Sequence, residues 1–312
     1  MNSTPSPANV HETCVNMHDD SRISFPDYTW PSGKRSAVAF TLDLDAESPY
    51  FWVTRQQQTK CLGELEQRRY GPRQGVARIL ALLKKWDIKG AFYVPGVVAA
   101  TYPDLLPTLL QAGHEVGYHG YFHERLDTLD DALLDDYLNR SIDVFRAQTG
   151  EAVRGYRAPS FEHSPESLAA LARANIAYDS SLMGFDHPYT IDGLVQVPVT
   201  WTIDDALYFR YTNGPRDKTH PANPNAVLES WIEEFEGTRE WGGLCMITVH
   251  DWISGRPQRL RLLDRFFAHI SAAKDVWWAT PMEIAEYHRS SANANRFDVS
   301  AHVGRFAPSV SK

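Results

Sequence analysis

Long apolar runs are missing from this chain, and no stretch reaches the length needed to span a bilayer. Its first residues, MNSTPSPANVHETCVNMHDD, have neither a basic n-region nor an apolar h-region, so no secretory signal is read there. Cysteine is scarce. Cys14, Cys61 and Cys245 are odd in number and lack metal-type spacing, which suits free thiols in a reducing compartment. Positive charge is also short: 31 Lys and Arg against 39 Asp and Glu give a net charge of −8, with the acids dispersed along the chain. That excludes the basic face a nucleic-acid partner requires. There is no internal repeat and no low-complexity tract. The expectation is a soluble, cytoplasmic protein with neither a membrane nor a nucleic acid as partner.

What is present suffices for a large core: 312 residues, 43% hydrophobic and 12% aromatic. Ala37 to Leu44 is an apolar run of the kind a strand buried on both faces requires. A long connection follows, SPYFWVTRQQQTKCLGELEQRRYGPRQG, with an aromatic cluster at Tyr50, Phe51 and Trp52; a loop this long in a compact domain is expected to be functional. Gly75 to Trp86 has helical spacing, GAFYVPG reads as a short strand, 101–113 as a helix ended by glycine, and HEVGYHG as the next strand. Asp130 to Gln148 is an amphipathic helix, and VRGYRAPS runs from strand into loop. Ser164 N-caps a helix to Ala174 with Pro165 at its first position, and the strand IAYDSS follows. LVQVPVTW and GGLCMITVH are further strands, the latter with Cys245 as a core position. Asn225 to Glu236 and Pro257 to Ala273 are helices, DVWWAT a strand, and Pro281 to His288 a closing helix. About seven strand–helix units in alternation predict an α/β fold, a parallel sheet closed or nearly closed into a barrel. The expected organisation is an N-terminal arm over 1–27, a catalytic barrel over 28–290 and a polar, frayed tail over 291–312.

The ionisable residues that stand out fall at the carboxyl ends of these strands, the edge that carries the active site in such barrels. Asp43 and Asp45 end the first strand, and a side-chain period of two puts them on one side of the sheet. Two like charges there need a cation, a shared proton or an arginine. His119 and His123 follow HEVGY, Arg157 follows VRGY, and His250 ends CMITV. If HGYFHE turns helically, its two imidazoles face one way, as a bidentate pair for a metal. Two neutral imidazoles and one carboxylate leave open positions on a divalent ion, which favours a catalytic over a structural site. Asp204 and Asp205 follow another strand and are placed on the same rim.

TLDLDAE, HGYFHE, GYRAPSF and TVHDWISGR, in that order, resemble the sequence blocks of the polysaccharide deacetylase family, carbohydrate esterase family 4, from Trp30 to Arg289. The resemblance is strongest to the intracellular branch of peptidoglycan-deacetylase-like proteins, cyclic imide hydrolases and allantoinase-like enzymes. WPSGKR, DAE in place of DDG, RRYGPRQG and the GR after the last histidine carry it. It implies a distorted (β/α) barrel that hydrolyses a non-peptide C–N bond. It also implies Asp45, His119 and His123 as ligands of a divalent metal, zinc foremost, with cobalt, nickel or manganese as alternatives. Asp43 matches the catalytic base, Arg157 the arginine that orients it, and His250 the general acid. Around these, Glu47 and Glu124 are candidate partners of a liganding histidine. Trp52, Phe161 and Trp201, with Tyr50, Phe51 and Trp252, are candidate pocket walls. Asp251 is a candidate for raising the pKa of a neighbouring imidazolium. Arg256 reads as a brace of the rim before it reads as a partner of a substrate carboxylate. YDSSLMGFD lacks the Asp–Trp pairing of many secreted deacetylases, which argues against a sugar groove.

The expected function is a metal-dependent hydrolase of a small cytoplasmic amide, such as a cyclic imide or N-acyl compound, with metal-activated water, an Asp base and a His acid. The alternative is an N-deacetylase of an N-acetylated sugar or peptidoglycan. A non-haem iron oxygenase shares the two-histidine, one-carboxylate set but has no place for the base and acid. A catalytically dead binding module needs less than this set. A homodimer or homotetramer is implied by the resemblance.

Overall fold

The computed structural model describes residues 27–56, 61–150, 152–212 and 220–299. The arm before Asp27, with Cys14, and the tail beyond 299 lie outside them. The strands are β1 (Ser36–Asp43), β2 (Gly90–Val94), β3 (Glu115–Tyr118), β4 (Gly155–Tyr156), β5 (Tyr178–Asp179), β6 (Tyr189–Ile191), β7 (Leu194–Gln196), β8 (Leu244–His250), β9 (Val276–Trp278) and β10 (Asp298–Val299). They form one sheet in the order β10-β6-β7-β5-β4-β3-β2-β1-β8, with β9 also paired to β1. Every pairing is parallel except β6 with β7.

β1 lies at the centre of the site's architecture, and every residue of it is buried. Val38, Phe40 and Leu42 pack into the cluster shared with the helices, against Ile79, Leu83 and Phe267. Ala37 and Ala39 face the other way, into a second cluster with Tyr93, Tyr178 and Met246. The small alanines leave room there for the two tyrosines, whose hydroxyls lie 2.9 Å apart. On that inner face the series 37, 39, 41, 43 ends in a carboxylate, and the register sets Asp43 beside Tyr93 on one neighbour and His250 on the other. β9 takes the first half of the edge whose second half pairs with β2. The chain leaving β7 returns to β8 through a bridge between Asp204 and Thr248. The sheet is therefore a curled, parallel-rich half-barrel. Full closure is replaced by that single bridge at the carboxyl rim.

Other expectations change in detail. The long connection after β1 is largely helical: Ser48–Thr54, then Leu62–Tyr70 running through a π-type turn at Gly71–Gly75 into Val76–Trp86. That wide turn absorbs Pro72, which otherwise reads as a breaker. The helix expected over 101–113 is two, Gly96–Thr101 and Leu105–Gln111, because Tyr102 precedes a proline and takes φ −122°, ψ 76°. β6 and β7 form a hairpin closed by Asp192 and Gly193 at φ 48° and 85°. Residues 291–299, expected to fray, dock instead: Asn293 and Phe297 are buried and β10 pairs with β6. No helix among the described residues is long and apolar enough to cross a membrane.

The π-type turn is seated against the chain after β8. A Cβ on Gly71 would stand 1.8 Å from Asp251 Oδ2, and one on Gly75 would stand 2.2 Å from the Asp251 carbonyl oxygen. On the other side, a Cβ on Gly255 would stand 2.3 Å from Gly75 Cα. Only glycine permits these approaches.

Candidate active site

Asp43, the last residue of β1, accepts a hydrogen bond from Arg157 Nη1 at 2.8 Å. Arg157 is wholly buried and anchored on every side: Nη1 also donates to Thr41 Oγ1 at 2.8 Å, Nε to the Ser180 carbonyl at 2.9 Å, and Nη2 to Ser180 Oγ at 2.9 Å. Its guanidinium carbon lies 4.2 Å from the Tyr93 ring centroid. Burial opposes the arginine's charge, but Asp43 more than restores it and raises its pKa. The expected pairing of Arg157 with Asp43 is present.

His119 follows β3, and its Nδ1 lies 2.8 Å from the Arg157 carbonyl oxygen. An N–H is the group that suits a carbonyl, so the proton belongs on Nδ1 and the Nε2 lone pair faces the cavity. His119 Nε2 and His123 Nε2 each lie 3.5 Å from Asp45 Oδ1, a buried oxygen with no hydrogen-bond partner. The two rings are not brought together by a helical turn as expected. Gly120 and His123 adopt left-handed backbone (φ 66° and 62°), and buried Glu124 accepts from the N–H groups of Tyr121 at 2.9 Å and Phe122 at 2.6 Å. Glu124 thus holds the backbone of the turn and bonds neither imidazole directly. Burial drives the His123 pKa down to about 4, so this ring is neutral at pH 7. Burial works against the charge of Asp45, yet the surrounding imidazoles hold its carboxyl well below the usual range. Burial likewise opposes a charge on His119, but Asp43 and Asp45 outweigh it and raise its pKa. The carboxylates thus favour positive charge at this Nε2, where a proton or a cation serves.

His250 closes the other side. Its Nδ1 lies 2.7 Å from Asp205 Oδ1, its backbone N–H donates to Asp205 Oδ2 at 3.0 Å, and its Nε2 stands 3.9 Å from Asp45 Oδ2. Asp205 is buried and also accepts from Ser254 Oγ. Burial disfavours the imidazolium, but Asp205, Asp204 and Asp45 dominate and raise the His250 pKa well above its ordinary value. Asp204 accepts from the Ala206 N–H at 2.7 Å, and burial lifts its own pKa to about 7. From sequence, Asp251 is a candidate imidazole partner, with an exposed position as the alternative. The structure gives that role to Asp205, because the Asp204–Thr248 bridge carries that residue to the end of β8. Asp251 is buried against Ala46 and the glycines described above, away from the cavity wall.

These groups open into a cavity of about 450 Å³ that is walled by Trp52, Phe161, Trp201 and Trp252. Phe161 packs against half-exposed Trp201 at 4.6 Å between centroids, and Ser160 and Phe161 are both left-handed (φ 60° and 59°). Tyr50 and Phe51 do not line it. Glu47 binds Arg69 and the Tyr102 hydroxyl and touches no histidine. Arg256 braces the rim, its guanidinium carbon 3.6 Å from the Tyr70 centroid. Sequence reading missed Arg68 and Arg210, which line the cavity; Arg68 lay in view within RRYGPRQG.

A curled parallel sheet bearing a carboxylate–arginine pair, an imidazole–carboxylate pair and a candidate metal-binding cluster on its carboxyl rim is the layout of a hydrolytic enzyme. A family model described as polysaccharide deacetylase matches residues 70–178. A peptidoglycan deacetylase of Helicobacter pylori is 26% identical, across 81% of this chain and 96% of its own. A solved structure from Mycobacterium smegmatis, described as a polysaccharide deacetylase, is 35% identical, covers 84% of this chain and 93% of its own, and superposes with a TM-score of 0.78. The crystal structure of a PuuE allantoinase, 23% identical over 85% of this chain and 93% of its own, has a TM-score of 0.75 and shares the fold. The chain belongs to the polysaccharide deacetylase family and is a hydrolase of non-peptide C–N bonds.

Proposed function

We propose that this protein is a metal-dependent amidohydrolase acting on a small cytoplasmic substrate, a cyclic imide or N-acyl compound, with zinc as the metal. One observation carries the metal: a buried carboxylate oxygen, Asp45 Oδ1, without a hydrogen-bond partner and flanked by two imidazole Nε2 atoms at 3.5 Å. One acid and two imidazoles are the donor set of an open divalent site, so the residues fit the ion. When bound, such an ion lowers the pKa of water towards about 7 and polarises a carbonyl. Asp43, paired with Arg157 at 2.8 Å, takes the proton from the attacking water. Arg157 also fixes its carboxylate in one orientation, which spares the reaction that ordering cost. His250, charged through Asp205, gives a proton to the departing nitrogen as the C–N bond breaks; without it that nitrogen leaves as an anion. The enclosing aromatic wall favours a small substrate over a polymer, since about 300–1,000 Å³ is the usual span of small-molecule sites.

A second reading, removal of acetyl groups from an N-acetylated sugar, draws support from the Helicobacter pylori relative and from half-exposed Trp201, a surface on which a sugar ring can stack. The experiment is metal analysis together with turnover on cyclic imides, allantoin and acetamido sugars, in the native protein and in Asp43→Asn. The proposal expects about one metal per chain, imide turnover, and a variant that keeps its metal and loses about 10³-fold in rate. Turnover confined to acetamido sugars favours the second reading, and full turnover after verified metal removal refutes both. We also propose a homo-oligomer, which size-exclusion chromatography with light scattering tests.

A further inference from the structure

The cavity has a cationic wall that the chemistry above leaves unused. Arg68, from the helix Leu62–Tyr70, and Arg210, the C-cap of the helix Asp205–Phe209, both line it. Arg68 is only 4% exposed. Its Nε and Nη2 both point at the same oxygen, Glu64 Oε1, at 3.1 and 3.0 Å, and its guanidinium carbon sits 4.9 Å from the Trp252 ring centroid. Among the described residues, Nη1 of this buried cation has no acceptor. The backbone N–H of Arg210 donates to the Ala206 carbonyl, and its guanidinium has no hydrogen-bonding or acidic partner among the described residues. Of the other charged groups of the cavity, Asp43 is matched by Arg157, His250 by Asp205 and Arg125 by Asp127, while Asp45 lies between the two imidazoles. Burial lowers the pKa of Arg68, Glu64 and Asp45 offset part of that, and the nearby charge of Arg210 adds to the lowering. Two guanidiniums thus line one substrate-sized cavity, and of the two only Arg68 has a glutamate beside it. A buried cation short of partners is costly, and the anion that relieves it gains charge-assisted bonds.

We propose that Arg68 and Arg210 bind a free carboxylate of the substrate, so that the enzyme selects small amides that carry one and rejects their neutral analogues. The rest of this wall, Trp52, Val53, Trp252 and Ile253, offers only indole N–H groups, of which Trp252 Nε1 is buried without a partner, fewer donors than a phosphate needs. A carboxylate, with two oxygens, fits the pair. The inference names the substrate class of the hydrolase proposed above, but the anion site does not depend on which bond is cut.

Glutarate and glutaramate differ by one charge, and each keeps a carboxylate for the metal end. Their binding to the full-length protein as isolated is read by tryptophan fluorescence, since Trp52, Trp201 and Trp252 line the cavity. The native protein is expected to bind glutarate about tenfold more tightly than glutaramate. Arg210→Gln is expected to bring that ratio close to one, and Arg68→Lys, which keeps the charge but loses the fork, to lower it in part. Circular dichroism confirms that each variant is folded. Equal binding of the two ligands by the native protein overturns the proposal, as does an unchanged ratio in folded Arg210→Gln. Loss of amide turnover across the whole substrate panel, with the glutarate preference intact, sinks the hydrolase reading and leaves the anion site standing. Turnover of neutral imides without that preference does the reverse.

Discussion

His123 and His250 face one cavity and are similarly sheltered, with side chains 16% and 12% exposed, yet they titrate in opposite directions. Burial pushes both towards neutrality, so burial does not separate them. The census of neighbours does. His123 shares a single carboxylate, Asp45, with two other imidazoles and has Arg68 nearby, so its pKa falls to about 4 and its lone pair is free. His250 is one ring among three carboxylates, Asp205, Asp204 and Asp45, so it keeps its proton well above the ordinary value. One residue type thus supplies a neutral ring and a protonated one to the same cavity, because β3 and β8 deliver their histidines to oppositely charged surroundings.

Three substitutions test that contrast, in order of decreasing effect. His123→Ala removes a neutral donor and is expected to abolish metal retention and lower turnover by at least about 10³-fold, as measured by metal analysis and initial rates. Retained stoichiometry would show that the lone pair is not used. Asp205→Asn strips His250 of its closest carboxylate and is expected to cost about 10²-fold in kcat with metal content unchanged. Its pH profile gives the sign: a raised pKa keeps the acid form present below it, and activity falls as pH rises through it. The alkaline limb of the variant should therefore move to lower pH, by about one unit; an unmoved limb assigns the acid elsewhere. Glu124→Gln leaves both rings in place but loosens the turn that carries His123, with an expected loss of about tenfold in metal affinity by competition with a chelator. Unaltered affinity would mean that Gly120 and His123 hold their left-handed geometry unaided.

Much of this was legible in sequence. The alternation of elements and the placing of Asp43, His119, Arg157 and His250 at strand ends follow from apolar runs and turn residues. The Asp192–Gly193 pair also signalled the β6–β7 hairpin, and that signal went unread. What was not legible depends on chain segments distant in sequence. Asp251 adjoins His250 in the chain and drew the expectation of contact, whereas Asp205, 45 residues away, makes it through the Asp204–Thr248 bridge. The HGYFH spacing fits a helix equally well; the left-handed turn is selected by Glu124, which accepts from Tyr121 and Phe122, together with Gly96, Val97 and Ser141, which donate to the Gly120 and Tyr121 carbonyls. The segment after β1 carries proline and glycine where a helix continues, because a wide turn lodged against Asp251 tolerates both.

That lodged turn has an outcome for how such an enzyme can diversify. Gly71, Gly75 and Gly255 dovetail the helical excursion bearing Arg68 into the segment that follows His250, with no room for even a methyl group. The segment proposed to choose the substrate and the segment next to the proposed acid are joined like mortise and tenon. A change of substrate by sliding that excursion would drag the segment after His250 with it. New preferences are easier to reach by exchanging side chains on a fixed frame than by remodelling the frame itself.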